Sequence, residues 1–148
     1  MARLRNESRT NKGNAGAEHL IFISHATTDK WIARVICDKL EAVGAKTFRD
    51  DRDIAGGDLI PEEIRKQIYR SHELLVLLTP NSVGRMWVNF ELAVGWGRGK
   101  RMWIVVVLYH VDVEAIPEPI RSRKAILLND FDQYLKEVAE RLRAKHDE

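Results

Sequence analysis

The sequence predicts a doubly wound α/β fold, in which a parallel sheet of five strands carries helices on both faces. Short segments that are apolar throughout alternate along the chain with segments whose apolar residues recur at helical spacing. Strands without a polar face are typical of a parallel sheet that is covered on both sides. The 148 residues are enough for one domain with a substantial core. Successive parallel strands are then expected to be joined by right-handed crossovers.

The first predicted strand, residues 20–23, is an apolar run that ends at Ser24 and His25. A helix follows, with candidate N-caps in Thr27–Asp29 and with Gly44 as its stop. Residues 45–49 form the second predicted strand. The inner face of the helix is predicted from its apolar residues, which are Ile32, Val35, Ile36, Leu40 and Val43.

The second helix is predicted to begin at Pro61, because proline followed by two acidic residues suits a first helical turn. Residues 74–78 form a fully apolar third strand, which ends in the polar sequence 79–82. A helix around Trp87 and Glu91 comes next. That helix is predicted to end at Gly97 and Gly99, and Trp96 and Trp103 are predicted to lie in the core. Two further strands are predicted at 102–108 and 125–128. The inner face of the last helix is predicted from its apolar residues, which are Phe131, Leu135, Val138 and Leu142.

Charge is distributed unevenly along the chain. Of the formal net charge of +2, residues 1–17 contribute a surplus of positive charge, and the remainder is close to neutral. We therefore predict a disordered basic tail at 1–17, a folded domain at 18–148, and no nucleic-acid partner. No apolar run reaches the roughly 18 residues of a membrane span, and no secretory signal is expected, because residues 1–17 have no apolar core segment. The single cysteine, Cys37, is expected to be buried and suits a cytoplasmic location, and the histidines show no metal-ligand spacing.

Ligands of doubly wound sheets bind beyond the carboxyl ends of the strands. In this chain that edge is predicted to collect Ser24 and His25, Arg49 with the loop after it, and residues 79–82. The usual nucleotide signatures are missing, since the glycines at 95, 97 and 99 end a helix and do not open one after a strand. For His25, capping of the next helix and contact with a phosphate are equally open.

Glu91 is an unexpected carboxylate in a segment that is otherwise nearly all apolar. On a helix its neighbours three and four residues away include Trp87, Val94 and Gly95, and none of these neighbours is a cation. A buried carboxylate without a partner is costly. Glu91 therefore lies either on a narrow solvent-exposed strip or in a cleft where its charge has a use.

Four motifs in this order resemble a Toll/interleukin-1 receptor (TIR) domain. They are the sequence FISH at 22–25, FRD at 48–50 before a glycine-containing loop, TPNS at 79–82, and Trp87 followed four residues later by Glu91. The resemblance extends over about residues 19–145. It implies a flavodoxin-like sheet and one of two functions. Some TIR domains are adaptors that only assemble, and others cleave NAD⁺ to nicotinamide and an ADP-ribose species.

The resemblance to the cleaving members implies that Glu91 is catalytic, that NAD⁺ is the substrate, and that no cofactor is needed. One carboxylate is sufficient for this chemistry, because nicotinamide leaves as a neutral base without protonation. The glutamate stabilises the oxocarbenium-like ribose that remains. The residues expected to bind the substrate are Trp87, Ser24, His25, Arg49, Leu59 and Ser82.

The resemblance also implies self-association through the loop at 50–60. Gly57 occupies the position of the family's loop glycine, and Asp53 belongs to the same assembly loop. In cleaving members this loop can complete the active site of a neighbouring molecule. Leu59 stands where some of them carry an aromatic residue that stacks on the substrate, so this chain departs from their pattern there.

The chain is similar to small stand-alone bacterial TIR proteins of anti-phage defence, such as the Thoeris type. Because no sensor segment is recognised in the sequence, activation is expected from a separate effector or sensor protein in trans or from self-assembly. The product is linear, cyclic or conjugated ADP-ribose, and the sequence does not distinguish these. Two alternatives remain: a non-catalytic TIR adaptor or virulence mimic of host signalling, and an enzyme related to nucleoside deoxyribosyltransferases.

Overall fold

The computed structural model describes residues 18–50, 61–85, 94–95, 97, 102–121 and 123–147. Within them the chain forms one five-stranded parallel sheet. The strands are β1 (Leu20–Ser24), β2 (Lys46–Arg49), β3 (Glu73–Leu78), β4 (Trp103–Leu108) and β5 (Lys124–Leu127). Their order across the sheet is β2-β1-β3-β4-β5, which is the order of a flavodoxin-like fold. The predicted fold class is confirmed.

The long helices of the described residues are α1 (Lys30–Ala42), α2 (Glu62–Arg70) and α3 (Phe131–His146). Short 3-10 turns occur at Thr27–Asp29, Val113–Ala115, Glu118–Ile120 and Leu128–Asp130. Val94, Gly95 and Gly97 are also helical. The predicted helix stop at Gly97 and Gly99 stays a prediction, because Gly99 lies outside the described residues, as does Trp96. None of the helices in the described ranges combines the length and hydrophobicity that crossing a membrane requires.

The core has two layers, one on each face of the sheet. Because successive strand residues point to opposite faces, Ile21 and Ile23 pack with α1 and α3, whereas Phe22 packs with α2. Ile64 and Ile68 of α2, four residues apart on one face of the helix, are fully buried. The helices therefore cover both faces, which explains why β3 is buried at all six of its positions.

Gly44 ends α1 as predicted, with a φ of 105° that favours glycine. Gly95 has a different role, because it lies against β3: a Cβ atom added there would stand 2.4 Å from Cδ2 of Leu74. The helical segment that contains Gly95 therefore approaches the sheet very closely at this position.

The predicted core position of Trp103 is wrong, and the predicted inner face of α3 differs in part from the observed one. Trp103 is 55% exposed, because it begins β4 at the rim of the sheet and its ring is covered there by the guanidinium of Arg141, 4.2 Å from the ring centroid. In α3 the buried residues are Phe131, Tyr134, Val138 and Leu142. Tyr134 thus takes a deeply buried place, and Leu135 is only partly buried.

Candidate functional site

The candidate site lies where β1 and β3 end side by side. These two strands are neighbours, with Ser24 opposite Val76, and the strand order reverses at this point. Doubly wound folds bind ligands in the crevice that such a reversal creates. Five polar residues are buried at or just beyond the two strand ends, which are Ser24, His25, Asp29, Thr79 and Ser82. Such a concentration of buried polar groups is unusual for a protein interior, and it indicates that this edge of the sheet is a candidate ligand site.

Residues 79–85 form a tight turn directly after β3, which we call the β3 turn. The Ser82 hydroxyl donates to the carbonyl oxygen of Leu77 at 2.9 Å and accepts from the backbone N–H of Thr79, also at 2.9 Å. The backbone N–H groups of Ser82 and Val83 both donate to the carbonyl oxygen of Thr79. Gly84 has a φ of 79°, which only glycine adopts without strain. These bonds fix the shape of the turn and attach it to the end of β3.

Asp29 connects this turn to the junction between β1 and α1. Its Oδ2 accepts a hydrogen bond of 2.5 Å from the Thr79 hydroxyl, and its Oδ1 accepts one of 2.9 Å from the side-chain amide of Asn81. The Thr79 hydroxyl in turn accepts from the backbone N–H of Asn81 at 3.1 Å. Asp29 occupies the N-cap position of α1, yet its side chain makes no capping bond there. The sequence predicted the cap and not the contact with the β3 turn.

The structure places three of the predicted substrate-binding residues at this one edge: Ser24, His25 and Ser82. All three are at most 3% exposed. The Ser82 hydroxyl is engaged within the β3 turn as described above, so its contribution in this structure is to the shape of the turn. A contact of these side chains with a substrate stays a prediction.

Arg49 ends β2, the strand beside β1, with Ile23 as its neighbour across the pair. It therefore lies at the same edge, on the far side of β1 from the β3 turn. Its side chain approaches the buried thiol of Cys37 on α1: burial raises the pKa of this thiol, while hydrogen bonds with Thr47 and Arg49 partly oppose the rise. Cys37 is 2% exposed, as expected of a small buried residue.

The other predicted site residues lie outside the described part of the chain. They are Glu91, Trp87, Leu59, Gly57 and Asp53, together with the predicted disordered tail at 1–17. Their roles stay predictions from the sequence. The β3 turn is the described segment nearest to Trp87 in sequence, because a single residue separates residue 85 from Trp87. Val94 is the described residue nearest to Glu91, three positions after it.

A second polar cluster lies at the opposite, amino edge of the sheet, and the sequence analysis missed it. Glu73 begins β3 and is fully buried. Its carboxylate pairs with His19 Nε2 at 2.5 Å, accepts from the Tyr134 hydroxyl at 2.9 Å, and also pairs with Arg141. Lys145 lies 2.8 Å from His19 Nδ1, so a protonated Lys145 donates there and leaves Nε2 as the N–H that binds Glu73.

The electrostatics of this cluster favour an ionised Glu73. Burial raises the pKa of its carboxyl group, but the hydrogen bond from His19 and the charge of Arg141 outweigh burial, so the net shift is downward from 4.5. Burial and the neighbouring Glu73 raise the pKa of Tyr134 well above 10.0, so its hydroxyl is a permanent donor. We call these residues the Glu73 cluster. Its buried ion pair joins β3 to α3 and does not resemble a ligand site.

A cavity of about 400 Å³ opens between α1 and the residues that follow β4 and β5, with Trp31, Tyr109 and Phe131 in its wall. Its lining includes none of the described residues predicted to bind substrate. In the described residues no three His, Cys, Asp or Glu side chains gather closely enough to hold a metal ion.

The comparisons with known proteins agree with the fold. A family model described as "TIR domain" matches residues 21–143. Among solved structures, the TIR domain of the Toll-related receptor TRR-2 from Hydra magnipapillata superposes with a TM-score of 0.63 at 23% identity, covering 83% of this chain and 97% of that one. TIR domains of the activated Roq1 resistosome superpose with a TM-score of 0.55 at 20% identity, covering 88% of this chain and 85% of that one. These two likenesses show the fold alone.

Curated relatives fall into two functional groups. Human Toll-like receptor 1 is 25% identical over 72% of this chain and 14% of its own length. "2' cyclic ADP-D-ribose synthase AbTIR" from Acinetobacter baumannii is 29% identical over 51% of this chain and 28% of its own length. "NAD(+) hydrolase TirS" from Staphylococcus aureus is 26% identical over 84% of this chain and 46% of its own length. The chain thus spans less than half the length of each of these relatives.

The family model covers most of the chain, and the strand order, the helices on both faces and the solved TIR structures agree with it. The chain belongs to the TIR-domain family.

Proposed function

We propose that this TIR domain cleaves NAD⁺ at the bond between nicotinamide and ribose, as an NAD⁺ glycohydrolase or an ADP-ribosyl cyclase. The observation that carries the proposal is the position of the β3 turn. It stands at the strand-order reversal where doubly wound folds bind ligands, and Trp87 and Glu91 follow it immediately in sequence. The names of the relatives AbTIR and TirS support the same reaction class.

The reaction needs few groups. The bond between ribose C1′ and the pyridinium nitrogen breaks, and its electron pair goes to the nitrogen, so nicotinamide leaves as a neutral molecule. Positive charge develops on the ribose, and the ionised carboxylate of Glu91 stabilises that charge. Trp87, four residues before Glu91 and so predicted to lie beside it on a helix, supplies an aromatic wall that excludes water. Capture of the ribosyl centre by water gives ADP-ribose, and capture by a nucleophile of the same molecule gives a cyclic product.

The test is to incubate concentrated purified protein with NAD⁺ and to identify the products by chromatography and mass spectrometry. Glu91→Gln keeps the size of the side chain and removes its charge, so cleavage should fall by about 10²–10³-fold. Glu62→Gln is the matched control, because Glu62 is an exposed glutamate in the first turn of α2. Glu91→Gln protein that cleaves NAD⁺ as fast as the parent would show that Glu91 is not catalytic.

The second candidate function is a non-catalytic TIR adaptor, and the similarity to human Toll-like receptor 1 favours it. An adaptor binds other TIR domains without consuming NAD⁺. A parent protein that binds other TIR domains but releases no nicotinamide, alone at any concentration or in those complexes, would favour this function instead.

We further propose that the enzyme works in the cytoplasm in anti-phage defence and is activated by self-association through residues 50–60 or by a partner in trans. A constitutive NAD⁺ hydrolase would exhaust the NAD⁺ of its own cell, so a site completed only in an assembly is a simple form of control. Head-to-tail contacts of identical molecules propagate into filaments unless their geometry closes. The TIR domains of the Roq1 resistosome, a solved structure of the same fold, are consistent with such assembly.

A further inference from the structure

Asp29 is a buried carboxylate whose two oxygens both bind the β3 turn. It is 6% exposed, and its donors, the Thr79 hydroxyl and the Asn81 amide, are neutral groups 50 and 52 residues further along the chain. Burying a carboxylate is costly unless hydrogen bonds compensate it. A side chain that only had to cap α1 would face the first helical N–H groups and stay near solvent. The position of Asp29 therefore requires another explanation.

The turn does not need Asp29 for its own shape. Ser82 and the backbone bonds to the Thr79 carbonyl oxygen already define the turn and hold it to β3. The two bonds from Asp29 add something different, because they fix the turn relative to the β1–α1 junction. That junction carries Ser24 and His25, the other polar residues of the candidate site. Asp29 thus sets the distance between the two halves of the ligand-binding edge.

We propose that Asp29 is a positioning residue for NAD⁺ cleavage, an inference that rests on the function proposed above. By holding Thr79 and Asn81, it fixes the point from which the chain continues toward Trp87 and Glu91. It contributes no chemistry of its own. A displacement of about 1 Å at a catalytic group can cost about 10²-fold in rate even when the substituted residue is distant. The effect of losing Asp29 is therefore expected in kcat.

The main test reverses the donor and the acceptor in the hydrogen bond between Asn81 and Asp29. Asp29→Asn retains an oxygen for the Thr79 hydroxyl but presents an amide N–H to Asn81, so the charge-assisted bond is lost and only a neutral bond, made with the Asn81 amide turned over, replaces it. Adding Asn81→Asp places an acceptor opposite the new donor and restores the pair with the roles reversed. Asn81 is exposed, so a carboxylate is tolerated there. Asp29→Ala removes the contacts with both Thr79 and Asn81 and should therefore cause the largest loss of kcat.

We expect Asp29→Asn to lower kcat about tenfold, through the loss of one charge-assisted hydrogen bond. Asp29→Ala should lower kcat about 10²-fold, with KM within about twofold of the parent. The double variant Asp29→Asn/Asn81→Asp should recover most of the kcat lost in Asp29→Asn. Asp38→Asn is the matched control, because Asp38 is an exposed aspartate on the same helix. It should leave kcat and KM unchanged.

Two further measurements distinguish the proposed positioning role of Asp29 from a general contribution to stability. Thermal unfolding shows whether each variant is folded at the assay temperature, and amide hydrogen exchange follows residues 79–83 against β4 as an internal reference. Asp29→Ala should speed exchange in the β3 turn and leave β4 protected. The inference is overturned if kcat falls only in proportion to the folded fraction, if the reversed pair restores nothing, or if exchange in the turn does not change.

The outcome for the parent distinguishes this inference from the proposed function. An active parent whose Asp29 variants keep the parental kcat overturns the positioning role and leaves NAD⁺ cleavage standing. A concentrated parent that releases no nicotinamide, either pure or above background in a cell lysate that supplies partners in trans, overturns NAD⁺ cleavage itself, and the positioning role falls with it.

Discussion

Replacing Glu73 by glutamine should strongly destabilise the protein, because it breaks a buried ion pair while leaving its partner in place. The carboxylate is fully buried and satisfies three groups at once: His19, Tyr134 and Arg141. A glutamine of nearly the same shape offers one oxygen to these donors and turns an N–H₂ group toward the others. Arg141, whose side chain is 19% exposed, loses its counter-ion.

Breaking a buried pair by removing one partner costs about 3–5 kcal/mol, and the partial exposure of Arg141 points to the lower end, about 3 kcal/mol. For a domain of this size, each kcal/mol lowers the melting temperature by about 2–4 °C. Glu73→Gln should therefore melt about 6–12 °C below the parent at pH 7. Circular dichroism during heating, together with urea unfolding, measures both quantities.

The pH dependence identifies the charge as the cause. Because the pKa of Glu73 is lower in the folded protein than its ordinary value of 4.5, the stability that it contributes is fully present above about pH 4.5 and is lost as the pH falls through the folded pKa. The difference in stability between parent and Glu73→Gln should therefore be constant near neutral pH and shrink in acid.

Glu140→Gln is the control, because Glu140 is an exposed glutamate beside Arg141 on α3. It should melt within about 2 °C of the parent, as surface substitutions usually do. A Glu73→Gln variant as stable as this control, or a stability gap that does not change between neutral and acidic pH, would refute the ion-pair account.

Three further outcomes are expected. Gly95→Ala should lower the free energy of unfolding, measured in urea, by about 1–3 kcal/mol, since its Cβ would stand 2.4 Å from the buried Leu74 side chain. Gly97→Ala is the matched control, because a Cβ there meets no described atom within 4 Å. Trp87→Ala should lower NAD⁺ turnover while changing the melting temperature little, and a loss of about 3–5 kcal/mol of stability would instead make it a core residue. Specific activity should rise with protein concentration, because mass action sets the assembled fraction. Gly57→Pro should suppress that rise by fixing φ of this loop residue at about −65°. Specific activity that does not change with concentration in either protein would show that the monomer already has a complete active site.

The fold was predictable because its signals are local. Strands β1, β3 and β4 consist almost entirely of apolar residues, and the apolar residues of α1 and α2 recur at helical spacing, so both element types are visible in short windows of sequence. Strand β2, with the sequence KTFR, lacks this signal, because it lies at the edge of the sheet and is only partly buried. The errors are at boundaries. The sequence predicted that β3 begins at residue 74, since a glutamate beside an apolar run indicates the start of a loop, whereas Glu73 is part of the strand.

The polar contacts were not predictable because their partners are remote. The donors to Glu73 lie 54, 61 and 68 residues away in sequence, and no periodic pattern links such positions. The local rule predicts a cap within Thr27–Asp29, and Asp29 does occupy the N-cap position, but its side chain binds Thr79 and Asn81 instead of the helix. Trp103 was misassigned for a similar reason, because an aromatic residue at a strand start is equally compatible with the core and with the rim.

The candidate site was predictable only in outline. The rule for carboxyl ends of parallel strands correctly located Ser24, His25 and the β3 turn at one edge. The assignment of Glu91 and Trp87 rests on helical spacing and on the resemblance to other TIR domains. The order of charge and hydrophobicity in the sequence does not show which side chains approach a substrate, because that depends on distances set by several elements together.

Strand β3 carries a polar cluster at each end, Glu73 at its start and Thr79 just after its last residue. Six residue steps separate them, which is roughly 20 Å of extended chain. Effects of substitutions more than about 7–10 Å apart usually add without interacting. The effects on stability of substitutions at the two ends of β3 should therefore add, and substitutions around Glu73 can shift the thermal tolerance of this domain over several degrees without altering the contact between Asp29 and Thr79. Thermal tolerance and the shape of the candidate site are thus open to change by separate mutational routes along one strand.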